Sequence, residues 1–204
     1  MKSKKELLYE VVIKHIKSKG LLRGLTISEI ARKADMGKGT VYEYFNSKDE
    51  LIAEALFFLL DESSDVIFNQ DNKELDFKAA MCLHIKTIMY ISNEYINMET
   101  FLMSGEIEGL LKHNFQIKMR SKVIDIKNKY HEYLNAIMDK GIKEGCFNKV
   151  IDDYIIYIIS NIIIASVAYY IQEKSYHNYN EAEFLNKVYK LCFIIIMIRL
   201  FLYI

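Results

Sequence analysis

The sequence predicts an all-α protein of about nine helices, and three observations support this prediction. The 204 residues include no proline and only eight glycines, so few positions interrupt a helix. Apolar residues recur at helical spacing along much of the chain. Several segments open with side chains that cap helices. No internal repeat or low-complexity stretch stands out.

The first predicted helix covers about residues 4–19, and the side chains that face the following helices are Leu8, Val11, Val12 and Ile16. The second helix begins at Thr26, because Thr26 and Glu29 have the spacing of a capping box. Its apolar residues recur at i, i+3, i+4 and i+7 and form one face, consisting of Ile27, Ile30, Ala31 and Ala34. Both patterns are typical of amphipathic helices.

A tight turn at residues 35–37 separates the second helix from a third, short helix over Lys38–Phe45. Asp35 tolerates the left-handed region, Met36 supplies a buried anchor, and Gly37 gives a flexible exit. The side chains expected to point inward from the third helix are Val41 and Phe45. Two short helices around a tight turn form a helix-turn-helix, whose second helix enters the major groove of DNA by its N-terminal residues.

Six further helices are predicted beyond the turn. The first begins at Ser47, which forms a second capping box with Glu50, and runs to about Asn69. Its buried face carries Leu51, Ile52, Ala55 and Leu59. The others cover about residues 74–95, 98–112, 115–144, 152–174 and 180–203. Gly145 is the predicted C-cap of the long helix before it.

Between Leu25 and Leu51 the chain resembles the DNA-binding domain of the tetracycline-repressor (TetR) family of bacterial regulators. The resemblance rests on residues 38–45, which read KGTVYEYF, and residues 47–51, which read SKDEL. Asp35 replaces a usual glycine, and Gly37 replaces the usual serine cap of the third helix. The resemblance implies a helix-turn-helix domain over residues 1–47 and an effector-binding and dimerisation domain over residues 48–204. It also implies a ligand-released repressor that binds a palindromic operator as a dimer.

Two residues are expected to contact DNA phosphates. Thr26 and Lys48 lie at the starts of helices, and Lys48 works against the local helix dipole unless an anion is nearby. Residues 1–50 contain eleven lysines and arginines against seven acidic residues, whereas the whole chain is neutral. This modest excess suits a protein that meets phosphates with its N-terminal end. Lys2, Lys4 and Lys5 could add a basic arm or stay solvated.

The third helix supplies the expected contacts to bases. Lys38 and Thr40 are the candidates for base edges, and Gly39 allows the backbone to approach the DNA closely. Tyr42 and Tyr44 are expected to share contacts to base methyl groups and phosphates. Packing beneath the first helix is the alternative for both tyrosines.

The last two predicted helices, about residues 152–174 and 180–203, are apolar nearly all round. A membrane span requires about 20 such residues, so membrane insertion is one interpretation. The polar residues that interrupt the two runs argue against it: Ser160, Asn161, Ser166, Lys190 and Arg199. In the TetR family the last two helices pair with their mates in a four-helix interface. The resemblance therefore implies a homodimer through these helices.

Methionine and aromatic residues are frequent in the middle of the chain, where the resemblance implies an effector cavity. The candidate ligand-binding residues are Met89, Tyr90, Phe101, Met103, Phe115 and Met119. Such side chains make an adaptable apolar lining, which favours an apolar or aromatic small molecule. Ordinary core packing is the alternative for each of them.

No motif indicates catalysis, a metal or a cofactor. The three cysteines lack CxxC spacing, and His84, His113 and His131 lack the spacing of metal ligands. We expect a protein that is not an enzyme, binds no cofactor or metal, carries no export signal and works in the cytoplasm away from membranes. A membrane-associated or scaffold protein that uses the N-terminal motif for protein contact is the alternative.

Overall fold

The computed structural model describes residues 2–19, 22, 24–94, 113–147, 151–174 and 180–202. These residues form eight α-helices and no strand, which confirms the predicted all-α fold. The helices are α1 Lys4–Lys19, α2 Ile27–Lys33, α3 Lys38–Tyr44, α4 Lys48–Phe68, α5 Phe77–Glu94, α6 His113–Lys143, α7 Asp153–Glu173 and α8 Glu181–Leu202. The helix predicted over residues 98–112 lies outside the described residues.

Helix ends follow local capping chemistry. Helix α5 begins three residues later than predicted, because Asp76 caps it by accepting the Ala79 N–H at 2.7 Å. At the end of α6, Gly145 adopts a left-handed conformation with φ of 72°. The Cys146 N–H donates to the Gly141 carbonyl at 2.8 Å, as in a Schellman motif. The predicted C-cap at Gly145 is thereby confirmed.

The described residues group into two compact units. The first holds residues up to 64 together with Glu94 and residues 113–123, and the second holds residues 65–93 and those described from 124 onward. The first unit has a core of buried side chains from α1 to α4: Leu8, Val12, Ile16, Leu25, Ile30, Val41, Phe45, Leu51, Ile52 and Ala55. Val11 and Ala34, which were predicted on buried faces, are only partly buried against this core. Tyr9 and Ile13 are buried in addition.

The second unit has its own apolar core. It draws on α5, α6, α7 and α8, and its most buried members include Phe77, Met81, Ile85, Leu134, Ile137, Ile159, Ile163 and Ile196. Phe147 folds back over α6 and meets the Phe77 ring edge-on, with 5.3 Å between ring centroids. Gly141 makes room for this contact, because a Cβ there would lie 2.5 Å from the Phe147 ring.

Two polar side chains, His84 and Thr87, are buried in the second unit. The His84 Nε2 lies 2.7 Å from the Tyr130 hydroxyl. Burial lowers the pKa of His84 to about 4, so the imidazole is neutral near pH 7. The Gln70 side-chain amide donates a hydrogen bond to the Thr87 hydroxyl. The Tyr133 hydroxyl in turn donates to the Gln70 Oε1, with 2.8 Å between the two oxygens. These bonds tie α5 and α6 together through polar contacts inside an apolar core.

Candidate functional site

The start of α2 is fixed by the predicted capping box. The Glu29 N–H donates to the Thr26 Oγ1 at 3.2 Å, and the Thr26 N–H donates to the Glu29 carboxylate at 3.1 Å. The Thr26 hydroxyl also lies 3.4 Å from the same carboxylate. Thr26 would therefore turn its hydroxyl proton away from Glu29 in order to donate to a phosphate.

The turn between α2 and α3 accommodates both departures from the usual motif. Asp35 adopts the left-handed conformation, with φ of 54°, as predicted. The Met36 N–H donates to the Ala31 carbonyl at 2.9 Å and closes the C-terminus of α2. Gly37 is the N-cap of α3 and has φ of −72° and ψ of 147°, an extended conformation open to any residue. The turn thus uses the tolerance of Asp35 but not the conformational freedom of Gly37.

Only one of the two hydrogen bonds of the second predicted capping box is present. The Glu50 N–H donates to the Ser47 Oγ at 3.1 Å, as expected for an N-cap. The Glu50 carboxylate, however, accepts from the backbone N–H of Asn46 at 2.7 Å and from its side-chain amide at 3.0 Å. The Glu50 carboxylate therefore binds the backbone of Asn46, one residue before the predicted partner Ser47. Helix α4 still begins directly after Ser47.

Helix α3 separates an inner face from an outer one. Val41 and Phe45 are 0% and 1% exposed, which confirms the predicted inward pair. The residues available to a partner are Lys38, Gly39, Tyr42 and Glu43, all exposed, and Thr40, which is half-buried. The Lys38 Nζ lies 5.9 Å from the centroid of the Tyr42 ring. A positive charge, a glycine backbone and an aromatic ring are therefore presented together on one surface.

The two tyrosines of α3 differ in their surroundings. Tyr42 is 52% exposed, so its ring and hydroxyl are accessible. Tyr44 is half-buried against the core of the first unit, and its ring centroid lies 6.4 Å from that of Phe45. The geometry leaves Tyr42 as the tyrosine better placed for a base or phosphate, while packing accounts for much of the Tyr44 ring.

A concave surface of about 500 Å³ lies between α2 and the start of α3. Ser28 and Arg32 line it from α2, and Gly37 and Lys38 line it from α3. Sequence reasoning missed Ser28 and Arg32. Their i, i+4 spacing places them on one face of α2, and arginine suits both phosphate and guanine.

The other lysines expected near DNA have different environments. Lys48 is half-buried in the first turn of α4, next to Asp49 and Glu50. Lys2 forms an ion pair with Glu10, and Lys5 forms one with Glu54 at 3.2 Å. The two N-terminal lysines with acidic partners are thus engaged within the protein itself.

The candidate effector residues are distributed over both units. Met89 is buried in the second unit, and Tyr90, next to it on α5, is 59% exposed. Phe115 and Met119 lie on α6 in the first unit, where Phe115 stacks on Phe57 with 6.3 Å between centroids. Phe101 and Met103 lie outside the described residues. Met89 and Met119 therefore pack into or against cores.

A groove of about 720 Å³ runs between α6 and α7 in the second unit. It combines apolar and polar side chains, among them Tyr130, His131, Asp153, Tyr157, Ser160 and Asn161. The His131 Nε2 lies 3.1 Å from an Asp153 carboxylate oxygen, and Asn135 lies 3.0 Å from the other ring nitrogen. Burial raises the pKa of Tyr130, and the neighbouring Ser160 hydroxyl opposes that rise. No sequence motif marks this groove, because its residues come from two separate helices.

Helices α7 and α8 pack against each other, and a second set of apolar side chains on them is exposed: Tyr157 and Ile164 on α7, and Leu191, Ile194 and Ile198 on α8. The spacings of three, four and seven residues within it are those of helices that pack against partner helices. By length and composition, α7 is the one helix in the described part of the chain that could cross a membrane. Core helices of soluble proteins pass the same test.

The described residues contain no group of three or more His, Cys, Asp or Glu side chains placed to hold a metal ion. Cys82, Cys146 and Cys192 are free thiols. Burial raises the pKa of Cys192 to about 12, which leaves this thiol protonated and unreactive near neutral pH.

Residues 18–55 match the family model for bacterial regulatory proteins of the tetR family. Two similar proteins of Bacillus subtilis (strain 168) are described as uncharacterized HTH-type transcriptional regulators. YhgD is 22% identical over 165 residues, which cover 80% of this chain and 82% of YhgD. YvdT is 28% identical over 139 residues, which cover 68% of this chain and 67% of YvdT.

Solved structures share the fold across nearly the whole chain. The fatty acid degradation regulator FadR from Bacillus halodurans superposes with a TM-score of 0.66 at 18% identity, covering 95% of this chain and 96% of FadR. FadR from Bacillus subtilis, solved in complex with stearoyl-CoA, superposes with a TM-score of 0.64 at 19% identity. The match covers 92% of this chain and 96% of that FadR. At these identities the likeness concerns the fold.

Proposed function

We propose that this chain is a DNA-binding transcriptional regulator of the TetR family, and that it acts as a homodimeric repressor that a small molecule releases from a palindromic operator. The observation that carries the proposal is the outer surface of α3. There Lys38, Gly39 and Tyr42 are exposed on one side of α3. The buried side chains of Val41 and Phe45 anchor its other side in the core.

The proposed division of labour follows from position on the helix-turn-helix. Lys38 and Thr40 contact base edges, and Gly39 lets the α3 backbone approach the groove. Thr26 and Lys48 contact phosphates from the starts of α2 and α4. Arg32, Tyr42 and Tyr44 add contacts at the edges of the same surface. In this scheme residues 1–47 read DNA, and residues 48–204 bind the effector and form the dimer.

Dimerisation is part of the proposed DNA-binding mechanism. One recognition helix reads only a few base pairs, whereas two helices related by a two-fold axis read a palindrome with half-sites about 34 Å apart or a multiple of that. The exposed apolar side chains of α7 and α8 support a second copy of this chain as the partner of these helices, because burying such residues is favourable. Ile194→Glu should then shift the protein from dimer to monomer in sedimentation, whereas Ile124→Glu, on the exposed surface of α6, should not.

The proposed effector is a molecule with a long apolar part. The core of the second unit is rich in methionine and isoleucine, which adapt to or line apolar ligands. A similar fold, FadR from Bacillus subtilis, was solved with stearoyl-CoA, which makes a long-chain acyl-CoA the first compound to test. Helix α4 connects the two units along the chain, because residues 48–64 belong to the first and residues 65–68 to the second. A change in α4 is the proposed route from effector to DNA.

The test is a gel-shift titration with the palindrome nearest the protein's own promoter and with a random duplex of equal length. We expect specific binding, which stearoyl-CoA or a related effector weakens about 5- to 150-fold, the usual range of allosteric coupling. Absence of binding to either duplex at low salt would contradict the proposal. Sedimentation of the protein with lipid vesicles instead of DNA would favour the alternative, a membrane-associated protein that inserts α7.

A further inference from the structure

Glu54 joins α4 to α1 through two hydrogen bonds. The Tyr9 hydroxyl donates to the Glu54 Oε2 at 2.5 Å, and the Lys5 Nζ donates to the same oxygen at 3.2 Å. Tyr9 is only 8% exposed, while the side chains of Lys5 and Glu54 are partly exposed. A carboxylate on α4 therefore holds two donors that lie one helical turn apart on α1.

The same two residues of α1 also contact the end of the recognition helix. The Lys5 Nζ lies 5.0 Å from the centroid of the Phe45 ring, and the Tyr9 ring meets Phe45 edge-on at 5.9 Å. Phe58, one turn beyond Glu54 on α4, lies 5.4 Å from the Tyr9 ring. We call these five residues the Glu54 cluster: Lys5, Tyr9, Phe45, Glu54 and Phe58. It brings α1, the C-terminus of α3 and α4 to one point.

The chemistry of the cluster differs from that of the surrounding core. Apolar packing depends mainly on buried area and only weakly on direction, whereas a hydrogen bond weakens steeply when its angle changes. A bond to an ionised carboxylate is also stronger than a neutral one. Burial, together with the Glu54 carboxylate, raises the pKa of Tyr9, so the hydroxyl keeps its proton and remains a donor at physiological pH. The cluster can therefore fix the rotation of α4 against α1 in a way that the apolar core alone does not.

We propose that Glu54 is a positioning residue that sets the orientation of the helix pair α2–α3 on α4, and thereby the half-site spacing that the dimer accepts. The inference rests on the proposed binding of a palindrome by a dimer. Glu54 does not need to touch DNA for this role. Each copy reads its own half-site through α3, and the Glu54 cluster holds the two reading surfaces at one separation.

The test compares five proteins: the parent, three single variants and the double variant Tyr9→Phe/Glu54→Gln. Tyr9→Phe removes the hydroxyl and keeps the ring that packs on Phe45 and Phe58. Glu54→Gln keeps an acceptor for Tyr9 but removes the charge opposite Lys5. Glu10→Gln is the matched control, because it breaks an exposed ion pair between Glu10 on α1 and Lys2, which precedes the helix. Each variant and the parent select bound duplexes from a random pool, and thermal unfolding is measured in parallel.

We expect the parent and Glu10→Gln to select one half-site sequence at one spacing. Tyr9→Phe and Glu54→Gln should select the same half-site sequence at two or more adjacent spacings. Lengthening the operator by one base pair should weaken its binding by the parent roughly ten-fold or more, which is the scale of a lost base contact. The same change should weaken binding by the two variants only about two-fold. The double variant Tyr9→Phe/Glu54→Gln should accept few more spacings than either single variant, because both substitutions act on the same hydrogen-bonded group.

The results separate the possible failures. If both variants unfold at lower temperature and bind all duplexes more weakly, but keep the single spacing, Glu54 has only a structural role and the inference is overturned. If the parent selects half-sites in pairs at no fixed spacing, the inference is likewise wrong although DNA binding stands. If the parent selects no paired half-sites, the proposed dimeric operator binding fails, and the inference fails with it.

Discussion

Among single residues, the N-cap of α3 lacks the side-chain oxygen that a capping residue usually supplies. Gly37 has an extended backbone and offers no side-chain acceptor, and a Cβ there would lie 3.9 Å from the Thr40 Oγ1, an ordinary contact. Gly37→Ser should therefore add a capping bond and reduce the entropy of the unfolded chain, and raise the free energy of unfolding by about 0.5–1 kcal/mol. Urea denaturation measures this change. A lower stability would contradict the extended N-cap geometry.

A second prediction at this scale separates phosphate contacts from base contacts. Lys48→Ala should weaken binding to all duplex sequences alike and flatten the salt dependence by about one unit, because one phosphate contact is lost. Thr40→Ala should change the preference at one or two base positions and leave the salt slope nearly unchanged. Titrations of specific and random duplexes at several salt concentrations measure both quantities. Equal effects of the two substitutions on slope and preference would contradict the proposed roles.

At the scale of elements, two helical glycines make a matched pair. A Cβ at Gly39 in α3 would have nothing within 4 Å, whereas one at Gly141 in α6 would lie 2.5 Å from the buried Phe147 ring. Gly39→Ala should stabilise the free protein by up to about 1 kcal/mol, since alanine favours helices. Gly141→Ala should destabilise it by about 1–3 kcal/mol through overpacking, despite the same helical preference.

Chemical denaturation tests the pair, and DNA binding adds a second readout for Gly39→Ala. If Gly39 admits the backbone close to the bases, its alanine variant should be more stable and yet bind the operator more weakly. Gly141→Ala, measured at a temperature where it remains folded, should keep its operator affinity. Unchanged binding by Gly39→Ala would contradict a close approach of the α3 backbone to DNA.

The elements themselves were largely predictable because the signals that start and end them are local. The spacing of Thr26 and Glu29 predicted the start of α2, and Gly145 predicted the end of α6. The start of α5 was missed by three residues because Asp76, its actual cap, stands among other polar residues that read equally well as loop or helix.

Contacts between distant residues could not be predicted. Glu54 meets Tyr9 across 45 positions, and His84 meets Tyr130 across 46, and no spacing rule relates residues so far apart. The proposed DNA-reading residues fall within one short motif, so the sequence indicated them as candidates. Arg32 was missed because its polar position on α2 looks like an ordinary solvated face until α3 is placed beside it.

At the scale of the whole molecule, the buried His84 should make stability depend on pH. Its pKa is lowered to about 4 in the folded protein, compared with an ordinary value of 6.5. The unfolded chain therefore binds the proton more readily between these two values, and the free energy of unfolding falls as pH drops from about 6.5 towards 4. The loss should reach about 3 kcal/mol near the lower value, at 1.36 kcal/mol for each unit of pKa. Above pH 6.5 this contribution is fully present.

Denaturation at pH 7.5, 5.5 and 4.5 checks the prediction, with His84→Gln as the variant that cannot titrate there. The parent should lose stability more steeply than the variant over this range. His131→Gln is the control, because His131 is half-buried beside the groove and not in the core. A parent and a His84→Gln variant with parallel pH profiles would show that His84 is not the titrating group.

The two separate apolar cores affect how mutations accumulate in this protein. Since each unit buries its own apolar side chains, a substitution in one core removes contacts from that core alone. Changes in the proposed effector-binding unit can therefore leave the packing beneath α3 unaltered. This arrangement would let the recognised signal diverge faster than the recognised sequence.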